Sequence, residues 1–229
     1  GATMGTRYSA VFYAAESIDQ CALQAELQQA VDRVDRQMST WQADSDLMRL
    51  NAAPPGQWVE LPEELLWVLA TALQIGEQSG GAFDIGVGAL VSACGFGPQA
   101  AAEQLPPQPP RAREALELDV PRRAARTHSR ISLDLNGIAK GFAVDQLARC
   151  LQKHGVHNFL VGIDGEMRAA GHKPDGSAWA VALEKPLRGR REVLGALELT
   201  DASIATSGDY RHWRERDGTS FSHTMDPHS

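Results

Sequence analysis

The chain has 229 residues, a net charge of −7 and a hydrophobic content of 43%. That content is enough to bury a substantial core, so we expect a globular protein built as one domain or as two closely merged halves. The negative charge and the lack of a run of lysines and arginines argue against nucleic acid or anionic membrane as a partner, since both need clustered positive charge. No apolar stretch of about 18 residues occurs, so we predict no transmembrane segment.

Local signals in the first half of the chain predict one strand and two helices. The strand covers residues 7–14. Ser17 and Gln20 form a predicted capping box for the first helix, whose apolar residues recur on one face until it ends near Ser39. Pro62 begins the second helix, which ends at the Ser79-Gly80-Gly81 break.

The second half of the chain predicts one loop, one helix and a set of short strands. Residues 98–113 contain five prolines and predict a loop, and the arginines of 111–130 are interpreted as solvated loop residues. A third helix is followed by predicted strands at residues 158–163, 167–170, 179–183 and 193–199. Consecutive short strands with tight turns pair antiparallel, so the predicted fold is α+β, with antiparallel sheets and helices packed on one face.

The cysteines do not suggest a disulfide framework. Cys21, Cys94 and Cys150 are an odd number at wide spacing, and no CxxC metal motif is present. Cys21 and Cys150 fall on apolar faces of predicted helices, so we expect buried free thiols.

A strand-like apolar run over residues 131–135, with Ile131, Leu133 and Leu135, turns directly into the third helix within the segment 134–145. The break is at Asn136-Gly137, and Lys140 follows in the first helical turn. Such a corner presents backbone N–H groups, the helix dipole and a lysine to an anion, which favours a phosphorylated ligand. The alternative is an ordinary strand, turn and helix with Lys140 in solvent, since the spacing matches neither a P-loop nor a dinucleotide fingerprint.

Short blocks elsewhere in the chain accompany this corner. In order they are Thr3-Met4-Gly5-Thr6, Met38-Ser39-Thr40-Trp41, residues 81–88 with 94–97, residues 136–145, and residues 205–210 with 222–227. Together the blocks resemble the ApbE-like FAD:protein FMN transferases, once called thiamine biosynthesis lipoproteins. The resemblance runs from Thr3 to Pro227 and implies a single ApbE-like flavin transferase domain over residues 1–229.

Two positions offer chemistry for a flat nucleotide ligand. Trp41 lies among polar residues and suits stacking on a heterocycle, or else packs at the rim of the core. Asp84 lies in a glycine-rich turn and suits hydrogen bonds to adenine or ribose, or else forms an Asx turn. The resemblance implies that Trp41 lies on the isoalloxazine ring of FAD, that Met4 lies near FAD, and that Ala82, Phe83 and Asp84 contact the nucleotide.

The resemblance also implies a metal and a pyrophosphate at the corner. It places the pyrophosphate at residues 137–141 beside Lys140, with the backbone carbonyl of Ala139 as one Mg²⁺ ligand. Asn136 and Phe142 are expected to contact the flavin nucleotide. A hard cation that bridges phosphates and takes few protein oxygens is how Mg²⁺ usually binds.

The tail contains the residues that we predict to be catalytic, His223 and Asp226. A histidine can titrate near neutral pH, and a nearby carboxylate can orient it, so His223 suits a general base or a group that positions the substrate. The alternatives are an exposed turn, or a metal site with His228, although the spacing matches no familiar zinc motif. Thr224, where the family commonly has isoleucine, is assigned to cofactor binding.

The sequence departs from the family at its end. Family members continue to an Asp-Ala-x-x-Thr type segment that supplies side-chain Mg²⁺ ligands, whereas this sequence ends at Ser229. We expect either that the sequence is the retained part of a longer chain or that its Mg²⁺ site is incomplete.

The resemblance implies a Mg²⁺-dependent transferase that moves FMN from FAD to a serine or threonine hydroxyl and releases AMP. Its expected acceptor is a flavin-carrying subunit of a membrane redox complex. The expected location is the periplasm, with anchoring to the inner membrane by a removed N-terminal lipid signal. Two alternatives stay open: an FAD pyrophosphatase that yields FMN and AMP, and a non-catalytic FAD-binding protein.

Overall fold

The computed structural model describes residues 1–14, 17–98, 110–210, 213–216 and 219–227. The chain forms two compact units. The first comprises Gly1–Asp35 and Lys140–Arg211, and the second comprises Arg36–Ala139 and His212–Ser229. Among the residues in these ranges, no helix is both long enough and apolar enough to cross a membrane.

Helices and strands follow one another along the chain. In order they are β1 (Ala2–Thr3), β2 (Thr6–Tyr13), α1 (Gln20–Met38), α2 (Asp46–Ala52), β3 (Val59–Glu60), α3 (Glu63–Gln78), α4 (Gly88–Ala93), α5 (Ala112–Ala115), β4 (Leu116–Asp119), β5 (Ala124–Thr127), α6 (Ala139–Lys153), β6 (Asn158–Ile163), β7 (Glu166–Ala170), β8 (Trp179–Glu184), β9 (Val193–Leu199), β10 (Ser203–Ala205), β11 (Trp213–Arg216) and β12 (Thr219–Ser222). The predicted strands at 158–163 and 193–199 have these bounds, and the predicted strands at 7–14, 167–170 and 179–183 differ from the observed ones at their ends by one residue.

A five-stranded antiparallel sheet organises the first unit. Its strand order is β1-β2-β6-β7-β10. The register pairs Tyr8 with Ile163 between β2 and β6, and Ile163 with Glu166 between β6 and β7. β8 and β9 pair as a separate antiparallel hairpin, whose Trp179 and Leu199 share a buried apolar cluster. The predicted α+β fold with antiparallel sheets is confirmed.

The second unit carries α2 to α5 and two small antiparallel sheets, β3-β5-β4 and β11-β12. Part of the arginine-rich region that we predicted as loop is a hairpin of β4 and β5. The prediction was wrong because Leu116, Ala124 and Ala125 are buried, and the guanidinium of Arg126 in β5 lies 4.5 Å from the Trp58 ring centroid. Of the predicted proline-rich loop, residues 99–109 lie outside the described residues, and α5 already begins at Ala112.

The start of α1 differs from the predicted capping box. Asp19, not Ser17, precedes the first helical residue, and its Oδ1 accepts a hydrogen bond from the N–H of Ala22 at 3.0 Å. A cap must directly precede the first turn to reach its unpaired N–H groups, and Asp19 satisfies that condition. The end of α3 is as predicted, because Gly80 and Gly81 both adopt positive φ (64° and 86°), where glycine carries no Cβ penalty.

The cysteines are free thiols, but their burial is not as predicted. Cys21 is exposed, whereas Cys94 and Cys150 are half-buried. Cys21 lies about 200° around α1 from Leu23, a residue of the buried face, so it points away from the core. Cys150 lies at the edge of the buried face of α6, beside Leu151.

Candidate functional site

The corner before α6 is held by side chains rather than by a sheet. In the predicted strand 131–135, the described strand pairing is a single bridge between Ser132 and Val87. Leu133 pairs with a side chain instead, donating its N–H to Asn51 Oδ1 at 2.8 Å and accepting from Asn51 Nδ2 at 2.9 Å. The side-chain amide of Asn51 thus supplies one acceptor and one donor, as the backbone of a neighbouring strand would. The segment is therefore extended chain, not a sheet strand, and Asn51 is a supporting residue that no sequence signal identified.

Backbone N–H groups at the corner are bonded within the protein. Asn136 donates to the Asp134 carboxylate at 2.8 Å, and Ile138 and Ala139 both donate to the carbonyl of Leu135, at 2.9 and 2.8 Å. The prediction that the corner presents free N–H groups to an anion is thus wrong for these three donors. The turn that starts α6 uses them itself.

Asp134 fixes the exposed Asn136 at the corner. Its Oδ1 accepts from the backbone N–H of Asn136 at 2.8 Å, and its Oδ2 accepts from Asn136 Nδ2 at 3.0 Å. Asp134 is 9% exposed. Desolvation by burial raises the pKa of Asp134 above its ordinary value, and the two bonds from Asn136 offset only part of that rise. Asp134 is a second supporting residue that the sequence analysis did not single out.

The loop of Asp84 is bonded to the corner within the second unit. Asp84 Oδ1 accepts from the N–H groups of Gly86 at 2.7 Å and Ala112 at 3.1 Å, which is the Asx-type turn of the alternative interpretation. The N–H of Asp134 donates to the carbonyl of Ile85 at 2.8 Å. The Asp84 loop and the corner therefore hold each other in place.

The ring of Phe83 covers the glycine of the corner. A Cβ added at Gly137 would lie 3.0 Å from Phe83 Cε2, so only glycine lets the ring approach this closely. Ala82, directly before Phe83, is exposed. The second unit thus brings together four residues of the predicted nucleotide site: Ala82, Phe83, Asp84 and Asn136.

Trp41 extends from a braced loop in the second unit. Its side chain is 64% exposed, so most of the indole surface faces solvent. The N–H of Trp41 donates to Ser39 Oγ at 3.1 Å, and Ser45 Oγ donates to the Ser39 carbonyl at 2.7 Å. Ser45 also caps α2 by accepting from the N–H of Met48. A fixed backbone with an exposed indole suits a stacking surface.

His223 is half-buried beside an aromatic ring of the same unit. Its ring centroid lies 6.3 Å from that of Phe96 in an edge-to-face arrangement. The N–H of Thr224 donates to Ser222 Oγ at 2.9 Å, and Asp226 is exposed. The pairing of His223 with Asp226 stays a prediction. His228, which the metal alternative requires, lies outside the described residues.

Lys140 is engaged by two carboxylates in the first unit. Its Nζ lies 3.0 Å from Glu166 Oε2 and 3.6 Å from Asp164 Oδ2. Lys140 occupies the first turn of α6 as predicted, and its side chain is only 27% exposed. It is therefore not the solvated lysine of the alternative interpretation, although much of its charge is already neutralised by the turn between β6 and β7.

The remaining predicted residues have different surroundings. Met4 is half-buried and forms a two-residue turn with Gly5 between β1 and β2, with φ of 48° and 71°. Ala139 and Phe142 are 4% and 5% exposed. A role of Ala139 through its backbone carbonyl needs no exposed side chain, whereas Phe142 offers little surface to a ligand. Met4, Lys140 and Phe142 belong to the first unit and the other predicted site residues to the second.

The buried carboxyl of Asp134 predicts a pH-dependent stability. A raised folded pKa means that its contribution to the free energy of unfolding is fully present below the ordinary value of 3.8 and is lost as the pH rises through the folded pKa. Asp134→Asn keeps an acceptor for the Asn136 N–H but carries no charge. We expect the variant to gain stability relative to the wild type as the pH rises from about 4 to 7 in urea unfolding.

The matched control is Asp44→Asn, at an exposed position of the same unit. Parallel stability profiles for the wild type and Asp134→Asn across this pH range would contradict the assignment.

Comparison with known proteins places these features in a family. The model of the ApbE family matches residues 4–229. The FAD:protein FMN transferase of Vibrio cholerae (strain O395) is 37% identical over 242 residues, with 99% of this chain and 70% of that protein covered.

Solved structures show the same fold. The flavin transferase ApbE from Vibrio cholerae matches with a TM-score of 0.86 and 34% identity, over 100% of this chain and 75% of that chain. The apo form of Pseudomonas stutzeri flavinyl transferase ApbE matches with a TM-score of 0.85 and 35% identity, over 100% of this chain and 73% of that chain.

Proposed function

The chain belongs to the ApbE family, and on that basis we propose that it is an FAD:protein FMN transferase. In the proposed reaction, FMN moves from FAD to a serine or threonine hydroxyl of a partner protein, and AMP is released. The observation that carries the proposal is the similarity of almost the whole chain to proteins with this name. The cluster of Phe83, Asp84 and Asn136 supports it, because predicted nucleotide-binding residues from distant blocks lie together.

We assign flavin and nucleotide contacts to the second unit. The exposed Trp41 presents its indole for stacking, and the exposed Asn136 presents a side chain fixed by Asp134. Phe83 contributes an aromatic surface over Gly137. Asp84 already uses Oδ1 in its own turn, so a hydrogen bond to ribose or adenine falls to Oδ2. The ligand contacts assigned to Met4, Lys140 and Phe142 are supported by the resemblance alone.

The donor chemistry of the corner fits Mg²⁺. The ligand atom that the resemblance assigns here is an oxygen, the backbone carbonyl of Ala139, and hard oxygens favour Mg²⁺ over softer metals. When bound, Mg²⁺ neutralises charge on the pyrophosphate and on the departing AMP. Ala139 is the residue that we assign to it.

We assign proton transfer to His223. The acceptor hydroxyl oxygen forms a bond to the phosphorus of the FMN part, the bond from that phosphorus to the oxygen bridging to AMP breaks, and the hydroxyl proton passes to His223. Phe96 restricts the orientation of the imidazole through its edge-to-face contact. Asp226 is assigned to orient His223. The electron pair of the broken bond leaves with AMP, so charge and atoms balance.

The test is direct detection of the modified acceptor. The protein is incubated with FAD, Mg²⁺ and a flavin-carrying acceptor subunit, and mass spectrometry searches for FMN on serine or threonine. Labelled acceptor with one AMP per FMN supports the transferase. Free FMN and AMP without labelling would support the FAD pyrophosphatase instead, and bound FAD without AMP would support a non-catalytic FAD-binding protein.

The setting of the reaction is also proposed from the resemblance. We assign the acceptor to a membrane redox complex and the protein to the periplasm, anchored to the inner membrane by a lipid signal. The chain is proposed to work as one ApbE-like domain.

Replacing Trp41 should weaken FAD binding. Trp41→Ala removes an aromatic surface whose stacking contributes on the order of 1 kcal/mol, so the Kd for FAD should rise by about fivefold. Bound flavin should also regain fluorescence that the indole quenches. Titration calorimetry and flavin fluorescence measure both effects.

Trp67→Ala is the matched control, because Trp67 is 51% exposed on α3 of the same unit. An unchanged Kd for Trp41→Ala, or an equal loss for Trp67→Ala, would contradict stacking at Trp41.

A further inference from the structure

A group of soft and hard metal-binding side chains lies in the first unit. Glu26 of α1, Cys150 of α6 and His154 each offer one ligand atom, and these atoms all lie within 4.8 Å of one another. His154 Nε2 lies 3.1 Å from Glu26 Oε2. All three residues are half-buried. None of them belongs to the residues assigned to FAD or to FMN transfer.

The end of α6 holds two of these side chains in a fixed relation. The N–H of His154 donates to the carbonyls of Cys150 at 3.3 Å and Leu151 at 3.0 Å. Gly155 follows with a φ of 73°, and the N–H of Val156 returns to the Leu151 carbonyl at 3.0 Å, which closes the helix. Cys150 and His154 are four residues apart and thus lie on one face. The two donors are therefore positioned by the backbone before any ligand binds.

The donor set suits a tetrahedral metal ion. A thiolate, an imidazole and a carboxylate are the usual protein ligands of Zn²⁺, and three of them leave one position for water or another molecule. Metal–ligand distances of about 2.0–2.2 Å imply a nitrogen–oxygen separation of about 3.3–3.6 Å in a tetrahedron. His154 Nε2 and Glu26 Oε2, at 3.1 Å, need to move apart by only a few tenths of an ångström to reach it. The C-terminal end of α6 also favours a cation through the helix dipole.

Two positive side chains lie near this group and compete with a metal ion. Lys153 Nζ lies 3.3 Å from Glu26 Oε2, but the Lys153 side chain is 74% exposed and can turn into solvent. Arg33 is a further positive charge near Cys150. Burial, followed by the charge of Glu26, raises the pKa of the Cys150 thiol, so metal binding displaces its proton.

We propose that Glu26, Cys150 and His154 form a three-ligand site for Zn²⁺ or a similar divalent transition metal. The thiolate distinguishes it from the oxygen donors assigned to Mg²⁺.

Cobalt titration of the full chain tests the site without reference to activity. The protein is freed of metal with a chelator, exchanged into excess Mg²⁺ without FAD, and titrated with Co²⁺. We expect one equivalent to bind, with a near-ultraviolet thiolate-to-cobalt band that Zn²⁺ abolishes. Cys150→Ser should remove the band. His154→Gln and Glu26→Gln should each weaken Zn²⁺ binding by at least about 100-fold, because residues that only hydrogen-bond to a metal ligand already contribute up to about that factor. Competition with a chromophoric chelator measures the affinity.

The matched controls are Cys21→Ser and His157→Gln, which change exposed residues of the same unit. Both should bind Co²⁺ like the wild type. Circular dichroism of the metal-free variants checks folding, and if Cys150→Ser fails to fold, the two other variants decide. Absence of the band in the wild type, its survival in Cys150→Ser, or equal weakening in the controls would overturn the proposal.

Discussion

Removing divalent cations with EDTA should abolish FMN transfer, and Mg²⁺ or Mn²⁺ in excess should restore it. The resemblance assigns the carbonyl of Ala139 to the metal, and the backbone donors of the corner at Asn136, Ile138 and Ala139 are already bonded. Those three backbone donors are therefore not left for a pyrophosphate, and the charge of Lys140 is shared with Asp164 and Glu166. A divalent cation is the group that suits oxygen ligands and phosphate together. AMP release and acceptor labelling are measured in parallel.

EDTA would also strip a metal from Glu26, Cys150 and His154, so the two sites must be separated. Restoration by Mg²⁺ in zinc-free buffer assigns the effect to the site of transfer. Cys150→Ser should show the same response to EDTA and Mg²⁺ as the wild type. Full turnover in chelator would show that the corner at residues 136–140 has been misassigned.

Replacing His223 should lower FMN transfer far more than FAD binding. His223→Ala removes the group that accepts the hydroxyl proton, and loss of a general base costs about 100-fold or more in rate. The FAD Kd should stay nearly unchanged, because the stacking and polar contacts are assigned to Trp41, Phe83 and Asn136. Rates of acceptor labelling and calorimetric titration with FAD separate the two effects.

His128→Gln is the control for replacing a histidine in the second unit. His128 lies 3.0 Å from Glu117 on the β4–β5 hairpin and has no assigned role in transfer. An equal fall in transfer and in FAD affinity for His223→Ala would assign His223 to the structure of the tail. An unchanged transfer rate would remove it from the mechanism.

Elements with strong local signals were predictable from the sequence. α3 begins after Pro62 and ends before Gly80, and β6 and β9 have the bounds that their apolar runs predict. The ordered blocks likewise sufficed for the family. Such signals depend on neighbours within a few residues, whose backbone preferences act before any long-range packing.

Contacts between distant segments were not predictable in the same way. Asn51 pairs with Leu133 across 82 positions, and this contact rather than a sheet holds the chain before the corner. Lys140 finds its partners in Asp164 and Glu166 of the β6–β7 turn, where the sequence alone favoured either an anion or solvent. Tertiary packing determines which donor lies beside which acceptor. These pairings do not recur at a regular spacing along the sequence, so no periodic pattern predicts them.

The sequence by itself therefore determined the family, the fold class and the identity of the chemical groups. The tertiary structure decided which of those groups are already engaged and which stay accessible. Trp41 is exposed, Phe142 is buried, and Cys150 lies beside Glu26 and His154. The physical reason is that burial and pairing depend on surfaces brought together from distant positions, whereas helix and strand preferences are properties of short segments.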